Sequence, residues 1–365
     1  MKKFFLKVLY FILKIFALSI LKVRKPKIIA ITGSVAKSSA KEAIFAILNP
    51  RLDVAKNEGN LNTEIGVPLA ILGFKKSYPS ILWPLILLWA FFLTLYYILP
   101  ISHYPKVLIL EMAADKPGDI EYLTSFIKPD IAVITMVGPS HLQSFGTILN
   151  VAEEKSKLIS KLSKKDYAIL NKYDNLTSKM AKLTKAKVIF FEPKEFSIAM
   201  SSAYSVGKIF GLSDKTINEG LQNINQLKGR WNIIEGIAGS ILIDDTYNAN
   251  PLSMEYALQK LKRQKEKRKN SRTIAVLGDM LELGDYAKKG HEKVGKIAKE
   301  NCDLVLCTGK LAEIIASNSG GKYFQNKDDL IAFLKKNIQK DDIILVKASR
   351  GMRFEEIVDK IKMTS

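Results

Sequence analysis

The sequence predicts an α/β protein of two domains, each built on a parallel sheet with crossover helices. Two observations carry this. From Pro26 onward, apolar runs alternate with helical patterns, the order in which parallel strands and their connections occur. The length of 365 residues suffices for two ordinary domains with their own cores, and 47% hydrophobic with 25% charged residues is a globular balance.

Taken in order, residues 27–32 read as a strand and 37–48 as a helix. A short strand at 52–55 and a helix at 65–74 follow. After an apolar stretch come strand 107–112, helix 119–126 and strand 131–137. A long helix covers about 151–162, then strands 167–171 and 187–191. Two helices come next, the second capped by Ser213. Gly229-Arg230 marks a boundary, after which 241–244, 274–277, 304–307 and 343–346 repeat the strand pattern with helices between. The basic run 262–272 reads as a solvated helix end and loop.

The net charge of +20 is spread along the chain. No zinc-finger spacing, RNA-binding aromatic signature or basic-region heptad accompanies it, so no nucleic-acid partner is expected. A basic surface of this kind suits anionic nucleotides and an anionic membrane surface. Cys302 and Cys307 are the only cysteines. Two cannot build a disulfide framework or a metal quartet, and they read as small core residues in a reducing compartment, the cytoplasm.

Two apolar segments bear on location. Residues 4–21 are apolar except for Lys7, Lys14 and Ser19, with Lys2, Lys3, Lys22 and Arg24 around them. Lys3, Lys7 and Lys14 share a helical face, which favours residues 1–25 as a helix lying in the membrane interface over a clean span or a cleaved leader. Residues 81–101 hold no charge over a spanning length. Their flanks, however, supply strands to one sheet and must stay on one side of any bilayer. The expectation is a re-entrant or in-plane insertion at 78–105, bent by Pro84 and Pro100, with Trp83, Trp89, Tyr96 and Tyr97 at the interface. A buried core helix is the alternative. The chain is expected to be cytoplasmic, attached peripherally to the inner face of the cell membrane.

The strand at 28–32 runs into Gly33-Ser34-Val35-Ala36-Lys37-Ser38-Ser39 and then a helix. Strand, tight turn and helix make a phosphate cradle of backbone N–H groups, with Lys37 for the β and γ phosphates of ATP and Ser38 for magnesium. Glu111 ends a very apolar strand, poorly placed for packing but well placed for a metal. His141 follows a third strand end, after Gly138-Pro139-Ser140.

These motifs resemble the Mur ligase family over residues 26–361. The loop Gly33 to Ser39, Asn57-Glu-Gly-Asn60-Leu-Asn62 before Gly66-Val-Pro68, and Glu111-Met-Ala-Ala-Asp-Lys-Pro-Gly118 fall in the family's order. So do Pro129 to His141, Asp244-Asp-Thr-Tyr-Asn-Ala-Asn-Pro251, Leu277-Gly-Asp-Met-Leu-Glu-Leu-Gly284 and Val346-Lys-Ala-Ser-Arg-Gly-Met-Arg353, close to the branch that adds D-alanyl-D-alanine. The resemblance implies a P-loop central domain over 26–228 and a Rossmann-like C-terminal domain over 229–365. It also implies an ATP- and magnesium-dependent amide ligase that works through an acyl phosphate in peptidoglycan synthesis.

In that scheme Gly33, Ser34, Ala36, Lys37, Ser38 and Ser39 cradle the phosphates, and Ser38, Glu111, His141 and Lys155 serve the metals, Lys155 as a carbamate. Arg230 meets phosphate, Asp245 the ribose, and Tyr247 and Asn248 the nucleotide pocket. Asn60, Asn62, Lys347, Ser349 and Arg350 meet substrate. The implied partners are a nucleotide-linked or lipid-linked muramoyl peptide, D-alanyl-D-alanine and a cell-wall enzyme. Three departures are expected to matter: the residues before the loop are too few for the family's UDP-sugar domain, no Gly-x-His-Asn segment stands around 192–212, and Ala36 replaces a loop glycine. They leave a second reading, a weakened nucleotide-binding homologue serving as a membrane scaffold.

Overall fold

The computed structural model describes residues 2–193, 197–268 and 271–363. Glu195 of the 192–212 region, and Lys269 and Asn270 of the basic run, lie outside the described residues. The chain divides into two compact units. One holds the residues up to Val137 with Leu149–Asn225, the other Gly138–Ile148 with Gln226 onward.

The first unit carries β1 (Lys27–Thr32), β2 (Val54–Lys56), β3 (Val107–Glu111), β4 (Ile131–Ile134), β5 (Tyr167–Asn171) and β6 (Lys187–Phe191). They pair in the order β2-β3-β1-β4-β5-β6, all parallel. Strand order reverses at β1, and such a reversal opens a crevice outside the carboxyl ends of the central strands. β1 delivers Gly33 to that edge and β3 delivers Glu111. Helices Lys37–Leu48, Ile198–Ile209 and Asp214–Gln222 build a core with the sheet through Ile29, Ile44, Ile47, Val133, Val206 and Ile217. Ser213 caps the last of these as expected, its Oγ accepting from the Thr216 N–H.

β4 stops three residues before its expected end because the chain turns to the loop instead of continuing the ladder. Thr135 Oγ1 donates to Val35 O at 2.6 Å, and Met136 O accepts from Ser34 N–H at 2.7 Å. The strand expected at 52–55 lies at Val54–Lys56, and the helix expected at 65–74 is shorter, Gly66–Ile71.

A separate cluster joins helices Lys2–Arg24, Gly66–Ile71 and Trp83–Ile98 through Leu9, Leu13, Leu69, Leu72, Ile86 and Ala90. Leu9, Leu13, Ala17 and Ile20, spaced four, four and three, form the buried stripe of the first helix. The lysine face expected on this helix is divided. Lys7 is exposed, but Lys14 donates to Ser125 Oγ at 2.8 Å and lies 5.7 Å from the Tyr122 and Phe126 ring centroids.

The apolar insertion is one helix, Trp83–Ile98. Pro84 occupies its first turn, where the missing N–H costs no hydrogen bond, and Pro100 lies beyond its end, so neither proline bends it. It is not a fully buried core helix. Trp83, Ile86, Ala90 and Thr94 are buried, while Leu85, Leu88, Trp89 and Phe92 are exposed. Among the described residues no helix is long and apolar enough to cross a membrane. Arg24 ties the insertion down, its guanidinium donating to the carbonyls of Tyr97, Leu99 and Ser102.

The second unit carries β7 (Asn232–Glu235), β8 (Ile241–Asp244), β9 (Thr273–Leu277), β10 (Leu304–Thr308), β11 (Lys322–Phe324) and β12 (Ile343–Lys347), in the order β11-β10-β9-β12-β8-β7. β7 runs antiparallel to β8, so this sheet is mixed and not wholly parallel as expected. The two edge strands escaped the sequence reading because both are short and largely unburied, without an apolar run. Cys307 is fully buried and Cys302 partly so, and burial pushes the Cys302 thiol up to about 12, which keeps it protonated and unreactive.

Candidate active site

At the carboxyl edge of the first sheet the loop is held by close packing. Gly33 has φ 151°, and a Cβ there would come within 1.9 Å of Thr135 Oγ1. The chain can pass this point only as glycine. Ala36, standing where a glycine was expected, has φ 62° and ψ 8° and caps the helix Lys37–Leu48. This is the left-handed conformation that glycine adopts freely and alanine at a cost of roughly 1 kcal/mol. Lys37 Nζ donates to Gly33 O at 2.8 Å, one turn back across the loop, and Ser34 and Ser38 are buried. The cradle is thus formed, with its ammonium folded over it.

Glu111 is 1% exposed at the end of β3, with Ile31 of β1 beside it in register. Its Oε1 accepts from Asn62 Nδ2 at 3.0 Å, and its Oε2 lies 3.4 Å from Lys41 Nζ. Lys41, also buried, donates to Asn57 O at 2.7 Å. The Asn57 side chain accepts from the Glu111 N–H and donates to Glu111 O and Leu61 O. Asn62 therefore does face the acidic strand end, whereas Asn60 is exposed. Lys41 and Asn57 are the residues the sequence reading missed. The available signal was a lysine one turn after Lys37 amid Ala40, Ala43 and Ile44, where a solvated side chain is out of place.

Lys155, on the helix Ile148–Ser160, is 1% exposed. Burial and then the charge of Lys37 lower its pKa to about 7, against the partial compensation of Asp115, Glu154 and Asp119. At neutral pH a large share of this amine is unprotonated. The neighbouring Glu154 accepts from the Gly118 and Ile120 N–H groups and so holds the start of the helix Asp119–Thr124.

The chemistry of the donors suits a magnesium ion: Ser38 Oγ, in the first turn of the helix Lys37–Leu48, and the Glu111 carboxylate, at the end of β3, are hard oxygens. Among the described residues no group of three or more His, Cys, Asp or Glu side chains could hold a metal alone.

In the second unit Asp245 follows β8. Its Oδ2 lies 2.7 Å from Lys347 Nζ, and its Oδ1 accepts from the Trp231 N–H at 3.2 Å. Lys347 is 3% exposed and also donates to Asn248 O at 2.9 Å, so its ammonium is committed to positioning this turn. The Tyr247 ring has the Arg230 guanidinium at 4.0 Å and the Arg350 guanidinium at 5.1 Å. Ser349 Oγ donates to Ala249 O and accepts from the Leu281 N–H. His141, with φ 51°, has Nδ1 2.7 Å from Glu282 Oε2 and groups with this unit. Asp279 accepts from the Leu311 and Ala312 N–H groups, capping a helix, so the Gly-Asp-Met stretch is structural at that residue.

Residues 97–234 match the Mur ligase middle domain, and residues 229–350 match the Mur ligase, glutamate ligase domain. A UDP-N-acetylmuramoyl-tripeptide--D-alanyl-D-alanine ligase from Buchnera aphidicola subsp. Baizongia pistaciae (strain Bp) is 32% identical over 376 residues, covering 92% of this chain and 75% of that protein. The chain belongs to the Mur ligase family. Its fold agrees: a crystal structure of MurF from Acinetobacter baumannii matches 95% of this Mur ligase and 79% of that chain, with a TM-score of 0.80 at 24% identity. MurF from Thermotoga maritima, solved in complex with ADP, matches 95% of this chain and 82% of its own, with a TM-score of 0.77 at 25% identity.

Proposed function

We propose that this Mur ligase uses ATP to activate a carboxylate of a muramoyl tripeptide, carried on a nucleotide or a lipid, and joins D-alanyl-D-alanine to it. The observation that carries the reading is the buried Lys41–Glu111 pair, with the half-buried Asn62 against it, beside the glycine-pinned lysine loop. A carboxylate this deeply buried contributes nothing to apolar packing, and a phosphate-binding edge gives it a task.

The substrate carboxylate oxygen attacks the γ phosphorus, the bond to ADP breaks, and an acyl phosphate results. The dipeptide amine then attacks the acyl carbon and loses a proton, and the tetrahedral intermediate expels phosphate to leave the amide. The loop N–H groups and Lys37 hold the phosphates and offset the repulsion between two anions. Magnesium, when bound, would supply further neutralisation of phosphate charge, and in the first unit Ser38, Glu111 and Lys155 are its proposed holders, while His141 stands in the second unit against Glu282. A buried amine titrating at about 7 is nucleophilic enough to form an N–C bond to carbon dioxide and release one N–H proton to solvent, which would turn Lys155 into the carbamate anion that role requires. In the second unit Arg230 is the proposed phosphate contact, Asp245 the ribose contact, Tyr247 and Asn248 the base contacts and Arg350 a substrate contact, with Ser349 positioning Ala249 and Leu281; in the first unit Asn60 and Asn62 are the proposed substrate contacts. Lys347 orients Asp245.

The test supplies MgATP, UDP-muramoyl-tripeptide and D-alanyl-D-alanine and follows phosphate and peptide product. Dipeptide-dependent phosphate release is expected, falling by about a hundredfold or more in Lys37→Ala. Nucleotide binding without turnover on any acceptor would sink the reading.

The same proposal extends to location. The exposed apolar faces of helices Lys2–Arg24 and Trp83–Ile98 support attachment to the inner face of the cell membrane, near cell-wall enzymes, with no span. Flotation with liposomes tests it, and recovery of all protein at the bottom of the gradient would refute it.

A further inference from the structure

We propose that the groove between residues 72–78 and the helix Trp83–Ile98 is a headgroup site for an anionic phospholipid, which selects the bilayers on which the enzyme docks. This rests on the reading that this face meets a membrane, and it adds the lipid class.

Leu72, Trp89, Leu93 and Tyr97 wall the groove, and Lys75 and Lys76, both exposed, line it as well. Its volume of about 320 Å³ accommodates a glycerophosphate but not the acyl chains. The turn approaches the helix closely at Gly73, which has φ 85° and where a Cβ would lie 2.8 Å from the Tyr97 hydroxyl oxygen. Lys76 Nζ stands 5.6 Å from the Tyr78 ring centroid, a cation over an aromatic face at the same rim. Beside the groove Leu85, Leu88, Trp89 and Phe92 are 53–66% exposed, an apolar strip that acyl chains would cover.

Charge decides the occupant. Residues 1–41 and 65–106, which supply the first helix and the whole insertion, contain no aspartate or glutamate. No carboxylate from these segments opposes a phosphate at Lys75 and Lys76. A second copy docking through the same face would bring two acid-free basic rims together, which disfavours a symmetric dimer. An anionic bilayer satisfies the strip and the rim at once.

The full chain is sedimented with vesicles of phosphatidylcholine alone and of phosphatidylcholine with roughly a third phosphatidylglycerol. Binding to the anionic vesicles should be about tenfold tighter or more, at roughly 1 kcal/mol per lysine at the surface. The pair Lys75→Glu and Lys76→Glu should erase that preference with the thermal melt unchanged, and Leu88→Ser with Phe92→Ser should weaken binding to both vesicles. If the charge-reversed protein keeps its anionic preference, the groove is not the headgroup site, though the membrane reading stands. If the wild-type protein binds neither vesicle, both fall. Two further results overturn the proposal: soluble glycerol 3-phosphate binding as tightly as vesicles, or a concentration-dependent dimer abolished by Leu88→Ser with Phe92→Ser.

Discussion

At Gly33 the Cβ of any other residue would lie 1.9 Å from Thr135 Oγ1, a hydroxyl already donating to Val35 O. Gly33→Ala should therefore cost more than about 2 kcal/mol and weaken ATP binding, read from a urea midpoint and a nucleotide titration. Ala36→Gly is the contrast. It removes about 1 kcal/mol of left-handed strain but adds a similar amount of unfolded-chain freedom, so stability should move by less than about 1 kcal/mol. Lys155 gives a pH signature. Its folded pKa, about 7, lies below the ordinary lysine value, so the unfolded chain binds more protons between those two values. This group's contribution to stability is lowest below pH 7 and is restored as pH rises towards about 10.5. Lys155→Met should flatten the rise in urea midpoint between about pH 7 and 9.5 relative to the wild type. An identical rise in both proteins would mean that Lys155 titrates normally.

Among the elements, the insertion shows how a helix with few polar groups is fixed at one end. Arg24 supplies donors to the carbonyl of Tyr97 in the last turn and to those of Leu99 and Ser102 just beyond it. Arg24→Ala should cost about 1–3 kcal/mol and speed amide exchange in the last turn of the helix Trp83–Ile98. The strands β1, β3, β4, β5 and β6 were legible because each is an apolar run between turn or helix signals. β7 and β11 were not, since edge strands need no apolar run and their existence depends on β8 and β10 offering a free side. Pro84 misled for a related reason: a proline at the start of a helix and one within it look alike until the helix boundary is known.

For the whole molecule, a net charge of +20 would make the proposed docking on anionic vesicles salt-dependent. Association should fall between roughly 50 and 300 mM NaCl, and the part that persists reports the apolar faces of the two helices. No change with salt would remove electrostatics from the docking. By itself the sequence determined the alternation of strands and helices, the glycine-lysine loop after β1, the acidic end of β3 and the presence of Lys155 on a helix. These are local patterns, set by periodicity, turn chemistry and residue type. The tertiary structure decided which lysines are buried, that Lys41 rather than a solvated neighbour meets Glu111, that Asn57 clasps β3, and that Lys14 leaves the basic face for Tyr122 and Phe126. Burial, and every pKa shift that follows from it, is fixed by groups far apart along the chain. Glu111 stands 70 residues from Lys41, and only the folded sheet brings them to 3.4 Å.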